Sequence, residues 1–474
     1  MYLPICIPAG SFAQYNANNS WNFNGNNRVL NNNNRYNTNF RSRPSPDSNK
    51  YDNQSLFLYE KPVGIPLDEV VSLYQDCKSI KFTCVEFDSG LIRGLIEVCH
   101  KLNNNNVEII EVRAFIVTIP KLREIIFCMY SDKLIQSFYV MSINTYLEDK
   151  WLLDNSFSCR QNKGVIRAVE KFQELVYQES DGYTRDDVWL ASFDIYHFFI
   201  RIDCILACEL MMDFIRENLQ NHPRKELLIY LTRVLYLTCY QEHIVTNKYS
   251  ELHNLFVSND KSLLHNPPHI GVPIGNWPSQ IIGNFLTTFV LIYIKGLGYP
   301  GVHYTDDTAL IIHNIPKWIH DEKLVEDFYK EKLHLLLHPD KKYLQHYSKG
   351  IQYLGRKLRF NRILPSDRTI NSINELVNTN IELAELIPGY CEKYCEEFSR
   401  SLNSYLGLLR TMNSWSLRDE LIHRIMNSKW NKVFEFQGHY EIVWIKKKYK
   451  THEKYKHFIR GSKLHYLFIK GDDW

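Results

Sequence analysis

The 474-residue chain has no marked excess of charge of either sign, because 56 Lys and Arg stand against 53 Asp and Glu and the formal net charge is +3. Global charge therefore indicates no class of partner, and any basic surface must be local. A secretory signal is also lacking, since "MYLPICIPAG" has no charged start and prolines interrupt its apolar run. The 11 cysteines are an odd number without a regular framework, so we expect a protein of the reducing cytoplasm.

Long hydrophobic runs and metal-binding cysteine motifs are absent too. The longest apolar stretch, "IIGNFLTTFVLIYI" at 281–294, is too short to span a bilayer and contains Asn284, so we expect a buried helix or a helix–strand pair and no membrane partner. The CxxxC pairs at 204–208 and 391–395 would each lie on one helix face. Two ligands do not close a zinc site, so these pairs are interpreted as buried cysteines.

Asparagine, in contrast, is abundant near the N-terminus. About half of the residues from Asn16 to Asn39 are asparagine, within the stretch "SWNFNGNNRVLNNNNRYNTNFRSRP", and the following "RSRPSPDSNK" is typical of a linker. We expect residues 1–54 to form an Asn-rich N-terminal arm, for which the composition alone favours disorder.

Helical and strand patterns alternate through the rest of the chain. Helical periods are found at 64–80, 121–152, 225–244 and 369–428. Strand patterns are found at 103–120, at the start of 188–203, on both sides of a turn in 303–312, and at 351–360. This mixture predicts an α+β fold with a helical C-terminal lobe.

Three aspartates stand out because of their places beside apolar strands. Asp194 ends the strand "VWLASF", and Asp306 and Asp307 occupy a tight turn between "GVHY" and "TALII". Carboxylates held together beside a core repel one another, and a divalent cation would offset that cost. Three carboxylates from two strand ends suit two Mg²⁺ ions roughly 4 Å apart, the arrangement used for in-line phosphoryl transfer. An isolated Asp-Asp pair, taken alone, is more typical of a solvated turn.

Six blocks, spread along the chain, resemble those of reverse transcriptases. "YTDD" (304–307) resembles their YxDD box, and "FDIYHFFIRID" (193–203) resembles the box that supplies their first catalytic aspartate. Four more resemble the fingers motif, the [IV]GxxxSQ box with its approach segment, the region joining palm to thumb, and a thumb helix. In that order they are "NSFSCRQNKGVIRAV" (155–169), "DKSLLHNPPHIGVPIGNWPSQ" (260–280), "LLLHPDKKYLQHYSKGIQYLG" (335–355) and "LNSYLGLLRTMNSW" (402–415).

The resemblance implies a right-hand polymerase with fingers, a palm whose antiparallel sheet carries the YxDD box, and an α-helical thumb. The expected divisions are the Asn-rich arm at 1–54, an N-terminal extension at 55–120, fingers and palm at 121–365, the thumb at 366–428, and a basic aromatic C-terminal tail at 429–474.

The subgroup is indicated by the fourth block, "IGNWPSQ", in which Ile274 stands where many bacterial reverse transcriptases carry glutamine. This version is similar to the reverse transcriptases of diversity-generating retroelements, with the related defence-associated (unknown-group and abortive-infection) enzymes as near competitors. The asparagine-rich stretch also resembles the tail of the variable protein in such an element, or a translated template repeat. Alternatively, it is an arm that contacts RNA or a neighbouring subunit.

The resemblance assigns catalytic roles to the three aspartates. Asp194, Asp306 and Asp307 are expected to bind two Mg²⁺ ions, with Mn²⁺ as a substitute, and the backbone around Ile195 is expected to face the nucleotide triphosphate. Lys341 matches a lysine that protonates the leaving pyrophosphate, although the adjacent Lys342 is an equal candidate.

Other residues are expected to select and hold the nucleotide. Phe199 falls at the position where a large ring excludes a ribose 2′-hydroxyl, although it would equally suit a core. Arg160 and Lys163 are expected on the incoming phosphates, and Gln280 beside the template or nucleotide. Ile274 cannot supply the hydrogen bonds of a glutamine, so we expect weakened discrimination between correct and incorrect dNTPs and hence low fidelity.

The C-terminal tail mixes cations with aromatic rings, as RNA-binding segments do, although a solvated charged face has the same composition. The residues expected to contact nucleic acid are Lys446, Lys447, Lys448, Tyr449, Lys450 and Arg460.

We therefore expect an RNA-directed DNA polymerase that copies a dedicated, structured RNA into cDNA from a DNA or RNA primer and dNTPs, in a retroelement of this kind or in antiphage defence. An accessory protein or a homo-oligomer is left open. Two alternatives remain: a template-independent DNA polymerase, and a non-catalytic RNA-binding scaffold, against which the intact aspartate set argues.

Overall fold

The computed structural model describes residues 64–79, 90–117, 123–245, 258–437, 441–449 and 466–467. The expected Asn-rich arm lies outside these residues. The described part combines helices with antiparallel sheets, which confirms the predicted α+β class.

The helices and strands are numbered in chain order. The helices are α1 (Leu67–Ser79), α2 (Leu91–Asn103), α3 (Tyr130–Lys150), α4 (Val165–Glu179), α5 (Phe198–Arg201), α6 (Cys204–Asn218), α7 (Lys225–Leu237), α8 (Trp277–Gly296), α9 (Ile315–Lys332), α10 (Asp367–Leu386), α11 (Tyr390–Leu409) and α12 (Trp415–Met426). The strands are β1 (Val112–Val117), β2 (Arg123–Cys128), β3 (Trp189–Ile195), β4 (Gly301–Tyr304), β5 (Asp307–Ile312), β6 (Leu337–His346), β7 (Ile351–Tyr353), β8 (Arg356–Arg359), β9 (Arg362–Pro365), β10 (Phe434–Gln437), β11 (Ile442–Ile445) and β12 (Tyr466–Leu467).

A four-stranded antiparallel sheet in the order β4-β5-β3-β6 forms the centre of the molecule. Alternate residues of β3 enter two different cores: Ala191 and Phe193 pack into the larger one, and Leu190 into the smaller one, which also contains Phe172 of α4. Burial on both faces explains why this segment reads as a nearly continuous apolar run. The predicted strand–turn–strand at 303–312 is confirmed as β4 and β5.

Helix α8 crosses the larger core. The apolar stretch 281–294 is therefore a single helix, one of the two forms expected for it. It is the one helix among the described residues that is long and apolar enough to cross a membrane by length and composition, and 78% of that window is buried within the protein. Its apolar surface is thus accounted for by core packing.

A β-hairpin replaces the first part of the helix expected at 121–152. Residues 123–128 form β2, which pairs antiparallel with β1, and α3 begins only at Tyr130. The burial of β2 alternates residue by residue, with Glu124, Ile126 and Cys128 pointing inward. That period of two belongs to a strand, so tertiary pairing decided a stretch whose composition suited either state.

The C-terminal helices form a unit with its own core. Helices α10, α11 and α12 bury Leu402, Leu406 and Leu421, among others, against one another. The expected thumb helix at 402–415 ends at Leu409, and α12 starts after a short turn. The same core contains Trp430, Phe434 and Val443, which places the described part of 429–449 in this unit.

The boundary expected at 428 therefore does not separate two parts of the structure. The hairpin β10–β11 is fixed to α11 by Asn403, whose side-chain amide donates to the Val443 carbonyl at 2.9 Å while its oxygen accepts from the Val443 amide at 2.8 Å. The basic character of the tail hid the apolar residues that make this segment part of the core.

Replacement of Trp430 by alanine should strongly destabilise the C-terminal helical unit. The Trp430 side chain is 0% exposed, stacks on Phe434 at 4.9 Å, and donates its indole N–H to the Asn380 carbonyl at 2.9 Å. We expect a loss of about 3–5 kcal/mol in chemical denaturation followed by circular dichroism. Trp415, which is 59% exposed, is the matched control, and Trp415→Ala should change stability by less than about 0.5 kcal/mol. Similar losses in both variants would contradict this assignment of the core.

Candidate active site

The register of the central sheet brings the three aspartates to one end of it. Asp194 on β3 lies directly opposite Asp307 on β5, and Asp306 precedes Asp307 in the turn that joins β4 to β5. Opposed residues on antiparallel strands have Cβ atoms about 4.5–5.5 Å apart. Two like charges in that position destabilise the pair unless a cation lies beside them, so the arrangement favours cation binding.

The turn that carries Asp306 is braced by the segment "NSFS". The His303 amide donates to the Asn155 carbonyl at 2.9 Å, and the Phe157 amide donates to the His303 carbonyl at 3.0 Å. The Thr305 hydroxyl donates to Ser158, whose carbonyl accepts from the Asn284 side chain of α8 at 2.7 Å. Residues far apart in sequence thus fix the backbone of the aspartate turn.

A buried histidine supports the same turn. The His303 side chain is fully buried, and its Nδ1 lies 2.8 Å from the Thr308 hydroxyl. Burial lowers the pKa of His303 to about 3, because the charged imidazolium would lose its hydration. The imidazole is therefore neutral at physiological pH and adds no positive charge beneath the carboxylates.

Lys341 forms an ion pair with Asp194. Its ammonium contacts Oδ2 of that carboxylate, and the Asp194 side chain is only 14% exposed. The other carboxylate oxygen, Oδ1, is buried and has no hydrogen-bond partner among the described residues. Lys342, the equal candidate in the sequence, pairs instead with Glu326. The structure therefore separates the two lysines, with Lys341 at the aspartates.

Two buried tyrosines lie near the aspartates and have raised pKa values. Burial, and then the carboxylates of Asp306 and Asp194, raise the pKa of Tyr329. Burial, and then mainly Asp307, raise that of Tyr353. A tyrosinate is disfavoured next to existing negative charge, so both phenols remain neutral. The two tyrosines therefore border the end of the sheet that carries the aspartates.

The carboxylates have the donor chemistry for Mg²⁺ without forming a closed ligand set. Within the described residues, no three His, Cys, Asp or Glu side chains lie together as a ready metal cluster. Mg²⁺ commonly takes only one or two protein carboxylates and completes its shell with water and phosphates, so an open set suits it. Asp194 pairs with the Lys341 ammonium through Oδ2, and its buried Oδ1 has no hydrogen-bond partner among the described residues.

Arg160, expected on the incoming phosphates, is engaged inside the protein. Its Nε and Nη2 bind Glu148 at 2.6–3.0 Å, and its Nη1 donates to the Leu153 and Ser156 carbonyls at 2.5 and 2.7 Å. The side chain is 5% exposed. A phosphate contact would require the Glu148 ion pair to break, so the structure shows Arg160 in a bracing position.

Lys163, the second cation of that expectation, lies at the surface of the same segment. Its ammonium donates to the Asp154 carbonyl at 2.7 Å and lies 4.9 Å from the centre of the Phe157 ring. These contacts are local and partly exposed, so the lysine can exchange them for another acceptor. Its role on the phosphates stays a prediction.

Phe199 lies five residues beyond Asp194, in α5. The ring is half-buried against the larger core, and a Cβ added at Gly283 would lie 3.2 Å from it. The Phe199 carbonyl accepts from the Val272 amide at 2.8 Å, which ties this position to the segment before α8. The ring thus has a packed side and an accessible side. This arrangement fits a ring that contacts the nucleotide sugar and equally fits a ring at the edge of the core.

Glu124 is a buried carboxylate that sequence reasoning missed. It accepts from the Ser262 hydroxyl and from the Leu263 amide, both at 2.8 Å, and so fixes the "DKSLL" segment to β2. The signal for it would have been an acidic residue at an inward position of a strand. That signal was hidden because residues 123–128 were expected to be helical.

The residues around the fourth block lie at the start of α8. The Ile274 carbonyl accepts from the Ile126 amide of β2 at 2.9 Å, and its side chain is half-buried. Ser279 is buried, whereas Gln280 is exposed. The structure places these residues on the same side of the fold as the β1–β2 hairpin, and their contacts with a nucleotide stay predictions.

The residues expected to bind nucleic acid in the tail are only partly described. Lys446 donates to the Asn431 carbonyl at 2.7 Å, Lys447 is exposed, and Tyr449 packs at the edge of the C-terminal core. The Lys448 side chain, Lys450 and Arg460 lie outside the described residues.

Comparisons with known proteins give weak overall similarities. No protein-family model matches the chain, and no curated protein sequence matches it significantly. Among solved structures it resembles apo telomerase from Candida tropicalis, with a TM-score of 0.41 and 9% identity over 67% of this chain and 61% of that one. It also resembles telomerase from Candida albicans in complex with a TWJ fragment of telomeric RNA, with a TM-score of 0.38 and 10% identity over 67% and 55% of the two chains.

The chain therefore spans at most 61% of the length of these two telomerase chains. Superpositions at this level establish neither a common ancestry nor a common activity. The functional conclusion rests on the local geometry of the central sheet and its carboxylates.

Replacement of His303 should change how stability depends on pH. Between about pH 6.5 and pH 3 the unfolded chain binds a proton at His303 that the folded chain excludes, so this group lowers stability as pH falls through that window. In His303→Gln, the slope of unfolding free energy against pH should be shallower by up to about 1.4 kcal/mol per pH unit. Urea denaturation at several pH values measures it. A uniform loss of stability with an unchanged slope would contradict the assignment.

Proposed function

We propose that the chain is an RNA-directed DNA polymerase that joins nucleotides by two-metal phosphoryl transfer. The observation that carries this proposal is the register of the central sheet, which sets Asp194 opposite Asp307 and next to Asp306. Opposed carboxylates at a strand end repel each other and so cost stability. They suit a site where divalent cations offset that repulsion and hold phosphates in place. The six blocks that resemble reverse transcriptases agree with this chemistry.

In this proposal, Asp194, Asp306 and Asp307 would hold the magnesium ions, with the Ile195 backbone beside them. When bound, the metal supplies activation of the primer 3′-hydroxyl and neutralises charge on the triphosphate. Lys341 forms an ion pair with Asp194. Once the nucleotide is present, its Nζ would be free to donate a proton to the leaving pyrophosphate.

The residues around the carboxylates would select the nucleotide. Phe199 would exclude a ribose 2′-hydroxyl by its bulk. Lys163 would reach the phosphates by exchanging its contact with the Asp154 carbonyl, whereas Arg160 would keep the supporting loop in place through Glu148. Gln280, being exposed at the start of α8, would lie toward the template.

The finer proposal is a cytoplasmic bacterial reverse transcriptase that copies a dedicated structured RNA, either in a diversity-generating retroelement or in antiphage defence. Support comes from "IGNWPSQ" and "DKSLL" in the sequence. Expected partners are the RNA template, a DNA or RNA primer and dNTPs. The C-terminal helical unit would act as the thumb and the β1–β2 hairpin as part of the fingers.

Asp307→Asn should abolish nucleotide addition while preserving the fold. We expect magnesium-dependent incorporation of dNTPs on an RNA template annealed to a DNA primer by the unaltered chain, and a loss of at least about 10³-fold in Asp307→Asn, because the site loses a cation-holding charge. Asp213→Asn, on the surface of α6, is the control and should retain activity.

Absence of incorporation by the unaltered chain, or full activity in Asp307→Asn, would contradict the proposal. Equal products with and without the RNA template would instead favour a template-independent polymerase.

Ile274→Gln should increase fidelity. Glutamine would restore hydrogen bonding beside the nascent base pair, and polar contacts that only the correct pair satisfies increase discrimination. We expect the misincorporation frequency, measured by sequencing cDNA copies of a defined RNA, to fall severalfold. Ile274→Leu is the control, because it keeps the apolar character. An unchanged error spectrum in Ile274→Gln would reject low fidelity through this position.

A further inference from the structure

The three-stranded sheet β7–β8–β9 has one buried face and one cationic face. Its register pairs Ile351 with Leu358 and Leu358 with Ile363, and these side chains point into the protein. The alternate positions Lys357, Arg359 and Arg362 lie on the opposite face, because successive strand residues alternate. We call these three residues the basic face.

The basic face holds cations without matching acids. No aspartate or glutamate occurs from Lys341 to Ser366. Arg359 and Arg362 lie directly opposite each other at the end of the β8–β9 hairpin, and both are exposed. None of the three residues has an ion pair with the residues that the structure describes. Like charges opposed across strands cost stability, and a bound anion would offset that cost.

Aromatic rings lie beside the basic face. Phe360, in the hairpin turn, is 39% exposed, and the Arg359 guanidinium lies 6.0 Å from the centre of its ring. The ring is held edge-on by Tyr183 at 5.4 Å and by Tyr347 at 6.0 Å. The ring of Tyr177, which is 55% exposed, lies with its centre 5.3 Å from the centre of the Tyr183 ring. Exposed rings anchored next to cations are suited to unpaired bases and their phosphates.

This surface lies away from the carboxylates. The β7–β8 turn is near them, since Tyr353 borders that turn and is affected by Asp307. The β8–β9 turn is at the other end of the small sheet. There, the Tyr347 amide donates a hydrogen bond to the carbonyl of Val188, which directly precedes β3. The end of β3 that Tyr347 contacts lies about 15–20 Å from Asp194 along the strand, at about 3.3 Å per residue.

The neighbouring segment has mixed charge. On the segment from Glu179 to Asp187, the Glu179 carboxylate lies 2.8 Å from His313 Nε2, and Asp187 forms an ion pair with Arg185. Asp181 and Asp186 are exposed on the same segment. The adjacent segment therefore adds no excess of positive charge to the basic face, which would contact only a few phosphates.

We propose that the basic face and Phe360 bind a single-stranded segment of RNA outside the catalytic cleft. Two features favour this occupant: cations spaced two residues apart on a strand can follow successive phosphates, and an accessible ring can stack only on unpaired bases. The choice of RNA as the occupant rests on the proposed function, whereas the existence of the cationic and aromatic surface is independent of it. Such a site would hold the template RNA while its copied end moves through the cleft.

Arg359→Gln/Arg362→Gln tests the proposal by fluorescence anisotropy with a labelled, unstructured oligouridine RNA over a range of salt concentrations. We expect affinity to fall about tenfold, and the slope of log affinity against log salt to fall by about 1.4, which is two phosphate contacts at about 0.7 each. The variant should melt at the same or a higher temperature, because a repulsive pair has been removed.

The matched control is Arg167→Gln/Arg216→Gln, which removes two exposed arginines that are each paired with an acid on their own helix. It should change affinity less than about twofold. Phe360→Leu should weaken oligouridine binding without changing the salt slope, and should not weaken binding of an RNA duplex.

Three results would overturn the inference. The first is equal RNA affinity in Arg359→Gln/Arg362→Gln and the unaltered chain, and the second is an equal loss of affinity in the control Arg167→Gln/Arg216→Gln. The third is binding of duplex RNA that is as tight as that of oligouridine and equally weakened by Phe360→Leu. These outcomes are separable from the catalytic proposal. If the chain incorporates no nucleotide but loses RNA affinity in Arg359→Gln/Arg362→Gln, the polymerase assignment fails and the RNA surface stands.

Discussion

Opposed negative charge at the end of the central sheet is the constraint around which the rest of this structure is arranged. Asp194 and Asp307 face each other on adjacent strands, and Asp306 lies in the turn beside them. Such a pairing costs stability, and here the Lys341 ammonium offsets part of that cost. In the function proposed above, the same carboxylates would bind divalent cations, which would displace the lysine and bring phosphates with them.

Holding that arrangement requires support from distant parts of the chain. The aspartate turn is hydrogen-bonded to the segment around Phe157, and that segment is fixed in turn by Asn284 of the central helix and by the Arg160–Glu148 ion pair. Rigid support of this kind keeps like charges from moving apart, which is what a preorganised phosphoryl-transfer site needs. Arg160 thus contributes by bracing the loop, in a position different from the direct phosphate contact that sequence resemblance implies.

The sequence predicted the strand–turn–strand of the aspartates and the C-terminal helices from their periods and turn signals. It predicted that the apolar stretch of α8 is buried, but left open whether that stretch is a helix or a helix–strand pair. It did not predict β2, whose short apolar stretch suits helix and strand equally until β1 pairs with it. It also did not show that Trp430 and Val443 join the helical core, since lysines surround them. The Lys341–Asp194 pair and the Glu124 contacts depend on strand register, which local sequence does not reveal.

The most direct test of this account is binding of Mn²⁺, used as a spectroscopic probe for the magnesium sites, measured by electron paramagnetic resonance without nucleotide or nucleic acid. The account predicts that Lys341→Ala binds Mn²⁺ severalfold more tightly than the unaltered chain, because a competing cation has been removed from Asp194, and that Asp194→Asn binds it much more weakly. Identical Mn²⁺ affinity in all three proteins would contradict the claim that these carboxylates form a cation site at which the Lys341 ammonium competes with the metal ion.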